Sequence, residues 1–177
     1  IDFLNKLSKE ISNSIKASTK KGMKSVFRLN LTSDIAWESV FLNEDQPRTI
    51  FEKHSNVQFY DYTKSFKRMA QYLGKNKEFP KNYHLTFSRS ETNDENVEDL
   101  LSKGHNVAVV FDELPETYKG YKVINGDESD LRFKDEKNVI VGLKYKKLTG
   151  KGADNKKAFE SGFALKKENL GENKVAS

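Results

Sequence analysis

Hydrophobic residues follow two spacing patterns that alternate along this chain. The first segment places apolar residues at helical spacing among lysines and serines, which predicts an amphipathic helix from Ile1 to about Thr19. Short runs of β-branched and aromatic residues come later, and each run predicts a strand. The predicted strands are Ser25–Leu31, Val57–Tyr62, Tyr83–Ser88, Val107–Phe111, Tyr121–Ile124 and Val139–Leu143.

Helical segments are predicted between the first four strands. One helix is expected after the loop around Asn43–Pro47, and another over Ser65–Leu73, where the apolar residues share one face. A third helix is expected to begin near Asn93 or Asp94, because either side chain can cap a helix start. Strands that alternate with helices in this way indicate parallel βαβ units.

The fold class that follows is α/β. The spacing between Phe111, Ile124 and Val139 is too short for full helices, so a partial or irregular parallel β/α barrel is predicted. An open doubly wound parallel sheet is the alternative. Residues 1–165 are expected to form a single α/β domain that includes the N-terminal amphipathic helix. Residues 166–177 are polar and are predicted to form a disordered tail.

Composition narrows the possible chemistry. The chain has no cysteine, which excludes disulfides, thiolate catalysis, zinc–thiolate sites and iron–sulfur ligation from these residues. No apolar run approaches the ~20 residues of a membrane span, so no membrane partner is expected and a cytoplasmic location is predicted. The net charge of +5 indicates either ordinary solubility or, if the charge is clustered, attraction to polyanions.

Polar residues at the ends of the predicted strands are the main candidate site. In a parallel sheet the carboxyl ends of the strands lie at one rim, where such folds bind ligands. Lysines there would contact anionic groups, a tyrosine would stack or donate a hydrogen bond, and carboxylates would hold a metal or orient the lysines. The alternative is that the short polar residues only cap the next helix. The candidate ligand-binding residues are Asn30, Asp34, Tyr62, Lys64, Ser88, Ser90, Asp127 and Lys144.

A lysine-rich segment, Lys144–Lys157, follows the last strong strand. It is basic, flexible in composition and close to the predicted rim, so it could clamp a phosphate backbone through Lys146, Lys147 and Lys151. A solvated lysine-rich loop is the alternative interpretation. The partner expected from these features is a nucleic acid or a nucleotide, and the oligomeric state stays open.

Other motifs give little support for a specific reaction. The chain has no glycine-rich phosphate loop, no dinucleotide fingerprint and no histidine pair at zinc-ligand spacing. The run Asn125–Asp130 has the acidic residues of a calcium loop but lacks the glutamate that should close it, so a turn is predicted. No metal site, catalytic residue or cofactor is therefore assigned.

Five strings, taken in order, resemble a bacteriophage family known as the "gene eighty-eight" type. The strings are Phe27–Asp34, Val57–Lys64, Tyr83–Ser88, Val123–Asp127 and Val139–Lys144, and the resemblance spans Ser25–Phe163. The resemblance implies a phage protein in the cytoplasm of an infected bacterial host. Members usually carry additional N-terminal cysteines ahead of a β/α barrel, which is reminiscent of radical-SAM-like proteins. Either that region lies outside this chain or this member lacks it.

Three functions are consistent with these observations. The leading hypothesis is a phage-type accessory protein that binds a phosphate-bearing ligand at the strand-end rim. The first alternative is the barrel half of a cofactor-dependent, radical-SAM-like enzyme. The second alternative is a non-catalytic interaction or inhibitor protein, with an exposed apolar patch on the Ile1–Ile15 helix.

Overall fold

A computed structural model describes residues 2–42, 48–74, 79–149 and 154–170. The chain divides into two compact units, Ile1–Leu85 and Thr86–Ser177. The strands form a mostly parallel sheet. The α/β class is thus confirmed.

Among its described residues, the first unit contains three α-helices, two strands and the first part of a third. Strand β2 lies between β1 and β3, and β1 runs parallel to β2 with Val26 opposite Gln58. The elements in chain order are α1 (Asp2–Lys20), β1 (Val26–Phe27), α2 (Ile50–Lys53), β2 (Gln58–Thr63), α3 (Phe66–Leu73) and β3 (Tyr83–Ser88).

Local sequence signals explain where these helices begin and end. Gly22, at φ +69°, ends α1 in a Schellman motif, because the Met23 amide donates to the Ser18 carbonyl at 2.9 Å. Helix α2 begins with a capping box in which Thr49 and Glu52 each accept a hydrogen bond from the other's backbone amide. The predicted loop at Asn43–Pro47 lies outside the described residues.

Aromatic rings form the core of the first unit. Phe51 stacks on Tyr83 with 4.2 Å between ring centroids and meets the edge of Phe59 at 5.0 Å. Ser8 on α1 pairs with His54 at 3.1 Å, and both residues are buried. His54 therefore has a structural partner within the core of this unit.

The second unit is organised around strand β4. Its elements are α4 (Asp94–Ser102), β4 (Val107–Phe111), β5 (Thr117–Tyr118), β6 (Tyr121–Asn125), β7 (Ile140–Lys144), α5 (Lys157–Glu160) and β8 (Ala164–Leu165). Strand β7 lies parallel to β4 along its whole length. On the other edge of β4, β3 pairs with the first residues and β8 pairs with the last.

A hairpin closes the outer edge of the second unit. Strand β5 is antiparallel to β6, and the two-residue turn between them holds Lys119 at φ 50° and Gly120 at φ 82°. Two consecutive left-handed residues are the requirement of a type I′ turn, whose twist matches that of the strands. The hairpin was not predicted, because β5 is too short to show an alternating pattern.

The structure also corrects two expectations about shape. The sheet is open, and a barrel is not confirmed; β1 and β5 are its edge strands. Strand β1 contains two residues, far fewer than the predicted Ser25–Leu31, because the chain leaves the ladder after Phe27. Additional order is present after Lys144, where α5 and β8 form. Residues 171–177 of the predicted tail lie outside the described residues.

One amide side chain in the first unit allows a test of this fold. Asn82 donates through Nδ2 to the carbonyl oxygens of Phe51, His54 and Val57 at 2.9–3.2 Å. Asn82→Ala should lower the free energy of unfolding by about 1–3 kcal/mol, since buried acceptors would lose their donor. Asn82→Asp, which keeps the shape but places oxygens against those carbonyls, should lower it further. Urea unfolding measures both, and an Asp variant as stable as wild type would contradict the donor role.

Candidate functional site

The predicted site residues fall into two groups, one in each unit. Lys151 lies outside the described residues. The first unit holds Asn30, Asp34, Tyr62 and Lys64, and the second holds Ser88, Ser90, Asp127, Lys144, Lys146 and Lys147.

Asn30 is a buried hub for the loop that follows β1. Its Oδ1 accepts hydrogen bonds from Ser33 Oγ at 2.8 Å, the Ile35 amide at 3.1 Å and Trp37 Nε1 at 3.0 Å. Its Nδ2 donates to the Ile35 carbonyl at 2.9 Å and reaches Asp61 at 3.4 Å. The Asn30 side chain is thus occupied by protein groups and shapes the loop.

Asp61 is a carboxylate with no exposed surface in the middle of β2. It accepts hydrogen bonds from the Asn30 amide and from the Tyr83 hydroxyl, both at 2.8 Å, and Arg28 Nε lies 4.0 Å away. Burial raises the pKa of Asp61, while these hydrogen bonds and Arg28 oppose the shift. Burial also raises the pKa of Tyr83, and the neighbouring carboxylate adds to that shift.

Arg68 connects this buried carboxylate to the surface of the first unit. Its guanidinium donates to both oxygens of Glu38 at 2.8 Å, pairs with Asp34 and reaches the Tyr83 hydroxyl at 3.2 Å. Burial lowers the pKa of Arg68, but the hydrogen bonds and charge of Glu38 and the contact with Tyr83 hold it above the ordinary value. A bidentate pair of this kind fixes geometry as well as charge.

The remaining first-unit candidates surround Asp34. Asp34 Oδ2 accepts hydrogen bonds from Thr63 Oγ1 at 3.0 Å and from the Lys64 amide at 2.9 Å. The ring of Tyr62 lies below Arg28, whose guanidinium carbon is 4.8 Å from the ring centroid. Lys64 is exposed. The first group therefore forms a network that ties the β1 loop to β2 and α3.

Sequence reasoning missed the two residues that join this network, Arg68 and Glu38. A usable signal was present for Arg68, because it lies next to Met69 on the apolar side of an amphipathic helix. A cation at a core-facing position requires a buried anion nearby. Glu38 lies in the short 3-10 helix Trp37–Ser39 and had no comparable signal.

In the second unit, Ser88 and Ser90 lie in a closed turn. The Asn93 side chain accepts from the Ser90 amide at 2.7 Å and donates to the Ser88 carbonyl at 3.1 Å. Asn93 occupies the N-cap position of α4, one of the two predicted helix starts, but its side chain makes no capping hydrogen bond and points back to the end of β3. Asp94 pairs instead with the buried Arg89 at 2.9 Å.

Arg89 also holds the end of β3 close to β8. Its Nη1 donates to the carbonyl oxygens of Gly162 and Phe163, and its backbone amide donates to Ala108 on β4 at 2.8 Å. It is 6% exposed. Arg89 therefore fixes the position where β8 replaces β3 along the edge of β4.

Asp127 organises the end of β7. Its Oδ2 accepts the Lys144 amide at 2.7 Å, and its Oδ1 lies 3.5 Å from Lys146 Nζ. The segment that begins at Asn125 forms a turn, as predicted. A side chain at Gly126 would lie 2.6 Å from Val141 Cγ1, so the close approach of this turn to β7 requires glycine.

The lysine-rich segment after β7 has defined structure on both sides of residues 150–153, which lie outside the described residues. Asn155 accepts from the Tyr145 hydroxyl at 3.1 Å and from the Leu148 amide at 2.7 Å, and it donates to the Leu148 carbonyl at 3.1 Å. The rings of Tyr145 and Phe159 meet edge to face at 5.0 Å. Hydrogen bonds and a ring contact thus join residues 145–148 to residues 155–159.

Exposed lysines cluster around the carboxyl ends of β7 and β8, and we term this surface the basic rim. Lys146 lies near Asp127, and Lys166 lies 3.4 Å from Glu168. The other members form no ion pair with any residue that the structure describes. The basic rim consists of Lys144, Lys146, Lys147, Lys156, Lys157, Lys166 and Lys167.

The described residues were compared with the requirements of a metal site and of a membrane span. Within the described ranges, no group of three or more His, Cys, Asp or Glu side chains is arranged to hold a metal ion. Among the same residues, no helix combines the length and the apolar character that crossing a membrane requires.

Removing the central cation should destabilise the first unit. Arg68→Met would leave Glu38 and Asp34 without their partner, and breaking a buried ion pair costs about 3–5 kcal/mol. The matched control is Lys67→Met on the exposed side of the same helix, which should change stability by about 0.5 kcal/mol or less. Urea unfolding compares the two. Equal losses would show that the Arg68 cluster does not stabilise the unit.

The buried carboxylate should make stability depend on pH. Because its native pKa is raised, Asp61 stabilises the fold below its ordinary pKa, and this contribution is lost as the pH rises through the native pKa. The difference in unfolding free energy between Asp61→Asn and wild type should therefore shift in favour of the variant from about pH 4 to about pH 7. Asp130→Asn, at an exposed position, should show no such shift. A constant difference for Asp61→Asn would contradict the burial effect.

Comparison with known proteins identifies the family. No curated protein and no solved structure matches the chain. The model of one family, described as Gene product 88, matches residues 1–165, which is most of the sequence. The family expected from the strand strings is confirmed, whereas the radical-SAM-like character is not shown. This chain belongs to the Gene product 88 family.

Proposed function

We propose that this protein binds a phosphate-bearing ligand, a nucleic acid or a nucleotide, at the basic rim of its second unit. The observation that carries the proposal is a group of seven exposed lysines, five of which form no ion pair with any residue that the structure describes. Such a cluster attracts polyanions, because each phosphate it neutralises releases bound counterions. The overall charge of +5 acts in the same direction.

The two halves of the basic rim are placed by one strand. Leu165 of β8 and Lys144 of β7 both pair with Phe111 of β4, on opposite edges. Leu165 and Lys144 are therefore two interstrand spacings apart, which is about 10 Å. Lys166 and Lys167 follow directly on one side, and the lysines after β7 follow on the other. The arrangement offers two rows of positive charge to an extended anionic chain.

Part of the basic rim is held in position before any ligand binds. Asp127 fixes the backbone of Lys144, Asn155 fixes the loop that carries Lys147, and Asp112 accepts the Lys167 amide at 2.8 Å. A fixed backbone reduces the ordering that binding would otherwise require. The lysine side chains stay exposed and can reach phosphate oxygens.

The first-unit candidates support a structural role more than a ligand-binding one. The polar atoms of Asn30 and Asp34 already engage protein groups. For the enzyme alternative, the raised pKa of Asp61 is a property that catalytic carboxylates often have, but Asp61 has no exposed surface for a substrate. For the interaction alternative, α1 exposes Phe3, a single large apolar side chain. The basic rim is therefore the better-supported site.

A salt titration with charge-removing variants tests the proposal. Binding of a labelled oligonucleotide should weaken with salt, and Lys144→Gln combined with Lys147→Gln should reduce the log–log slope by about 1.4–1.8. The matched control combines Lys103→Gln with Lys122→Gln, which removes the same charge from lysines already paired with Asp99 and Glu136. Fluorescence anisotropy gives both slopes. The proposal would be refuted if the two double variants had equal log–log slopes, or if the affinity did not change with salt concentration.

A further inference from the structure

We infer that the basic rim binds single-stranded nucleic acid in preference to a duplex. This inference rests on the proposed function, because it concerns the same surface. It depends on apolar and aromatic side chains that lie among the lysines and that phosphate binding alone would not need.

An aromatic pair lies within the basic rim. Tyr145 follows β7 and Phe159 lies on α5, and both rings are partly exposed while they contact each other at 5.0 Å. Lysines lie close to both along the chain. Lys147 is two residues after Tyr145, and Lys156 is one helical turn before Phe159, whose amide donates to the Lys156 carbonyl at 2.9 Å.

The loop that follows Tyr145 also carries an exposed apolar side chain, Leu148, on a hydrogen-bonded backbone. Leu148 is 60% exposed although it is surrounded by lysines and glycines in the sequence. Both its amide and its carbonyl are hydrogen-bonded to Asn155, so the loop presents this side chain from a defined backbone. An apolar side chain such as Leu148 cannot bind a phosphate, so a surface that contacts only phosphates would not need an exposed leucine at this position.

The combination indicates which form of nucleic acid would fit. In a duplex the flat faces of the bases are covered by their neighbours, and a protein contacts mainly phosphates and groove edges. In a single strand the base faces are free and stack on aromatic side chains while lysines contact the backbone. Tyr145 and Phe159 provide stacking surface, Leu148 provides apolar contact beside a base, and the adjacent lysines provide the charge.

The experiment compares one labelled DNA strand with its own duplex in fluorescence anisotropy, using the full chain. Wild type should bind the strand about tenfold more tightly than the duplex. Phe159→Leu keeps an apolar side chain but removes the ring, and Leu148→Ser removes exposed apolar surface without touching the core. Each should weaken strand binding several-fold, with little change in duplex binding or in the salt slope. If Phe159→Leu does not fold, the effect of Leu148→Ser on strand binding tests the inference.

The control and the contrary outcomes separate this inference from the proposed function. Tyr121→Leu removes a partly exposed ring on the β5–β6 hairpin, where Lys119 and Lys122 are paired with carboxylates, and should leave strand binding unchanged. Salt-dependent binding that is equal for strand and duplex and unaffected by Leu148→Ser would overturn the inference and leave the proposed function standing. Salt-independent binding, or none, would overturn both.

Discussion

The second unit depends on one geometric constraint: a β-strand has two edges, and β4 serves three partners. Strand β7 occupies one edge completely, whereas β3 and β8 share the other. A parallel strand buried in this way must be apolar on both faces, and Val107, Ala108, Val109 and Phe111 are buried accordingly. The positions of the lysines after β7 and after β8 follow from this pairing.

The first unit depends on charge compensation rather than on an apolar centre alone. Asp61 has no contact with water, and its nearest cations, Arg28 and Arg68, come from different elements. A buried ionised group is tolerated only where hydrogen bonds and opposite charges replace its hydration. Asn30, whose backbone amide donates to Asp61, therefore joins the loop after β1 to this buried carboxylate.

Much of the α/β pattern could be predicted from the sequence, and physical reasons explain the rest. Strands β3 and β4 have the predicted bounds. Strand β4 is a wholly apolar run, and β3 alternates aromatic or aliphatic residues with polar ones between a turn and a polar segment. Whether a sheet closes into a barrel depends on which edges pair, and local spacing carries no information about that. Strands β5 and β8 contain two residues each and are too short to leave a periodic signal.

The candidate site shows the same limit at the level of side chains. Asn30 and Asp34 were predicted to line a ligand site, but sequence alone cannot show whether such groups face a ligand or one another. In the structure Asn30 contacts Asp61 on β2, and Asp34 pairs with Arg68 on α3. The exposure of a lysine is easier to predict from sequence, because a cation with no anion nearby stays at the surface.

The short pairing of β8 has a consequence for how the molecule opens. Two residues join β8 to β4, and Arg89 adds side-chain contacts to the carbonyls just before it. So small an attachment is expected to detach locally at a lower free energy than complete unfolding. Strand β8 would then separate from β4 and pair again while the rest of the sheet stays folded. Amide hydrogen exchange at Asp112, whose N–H donates to Leu165, would report each opening.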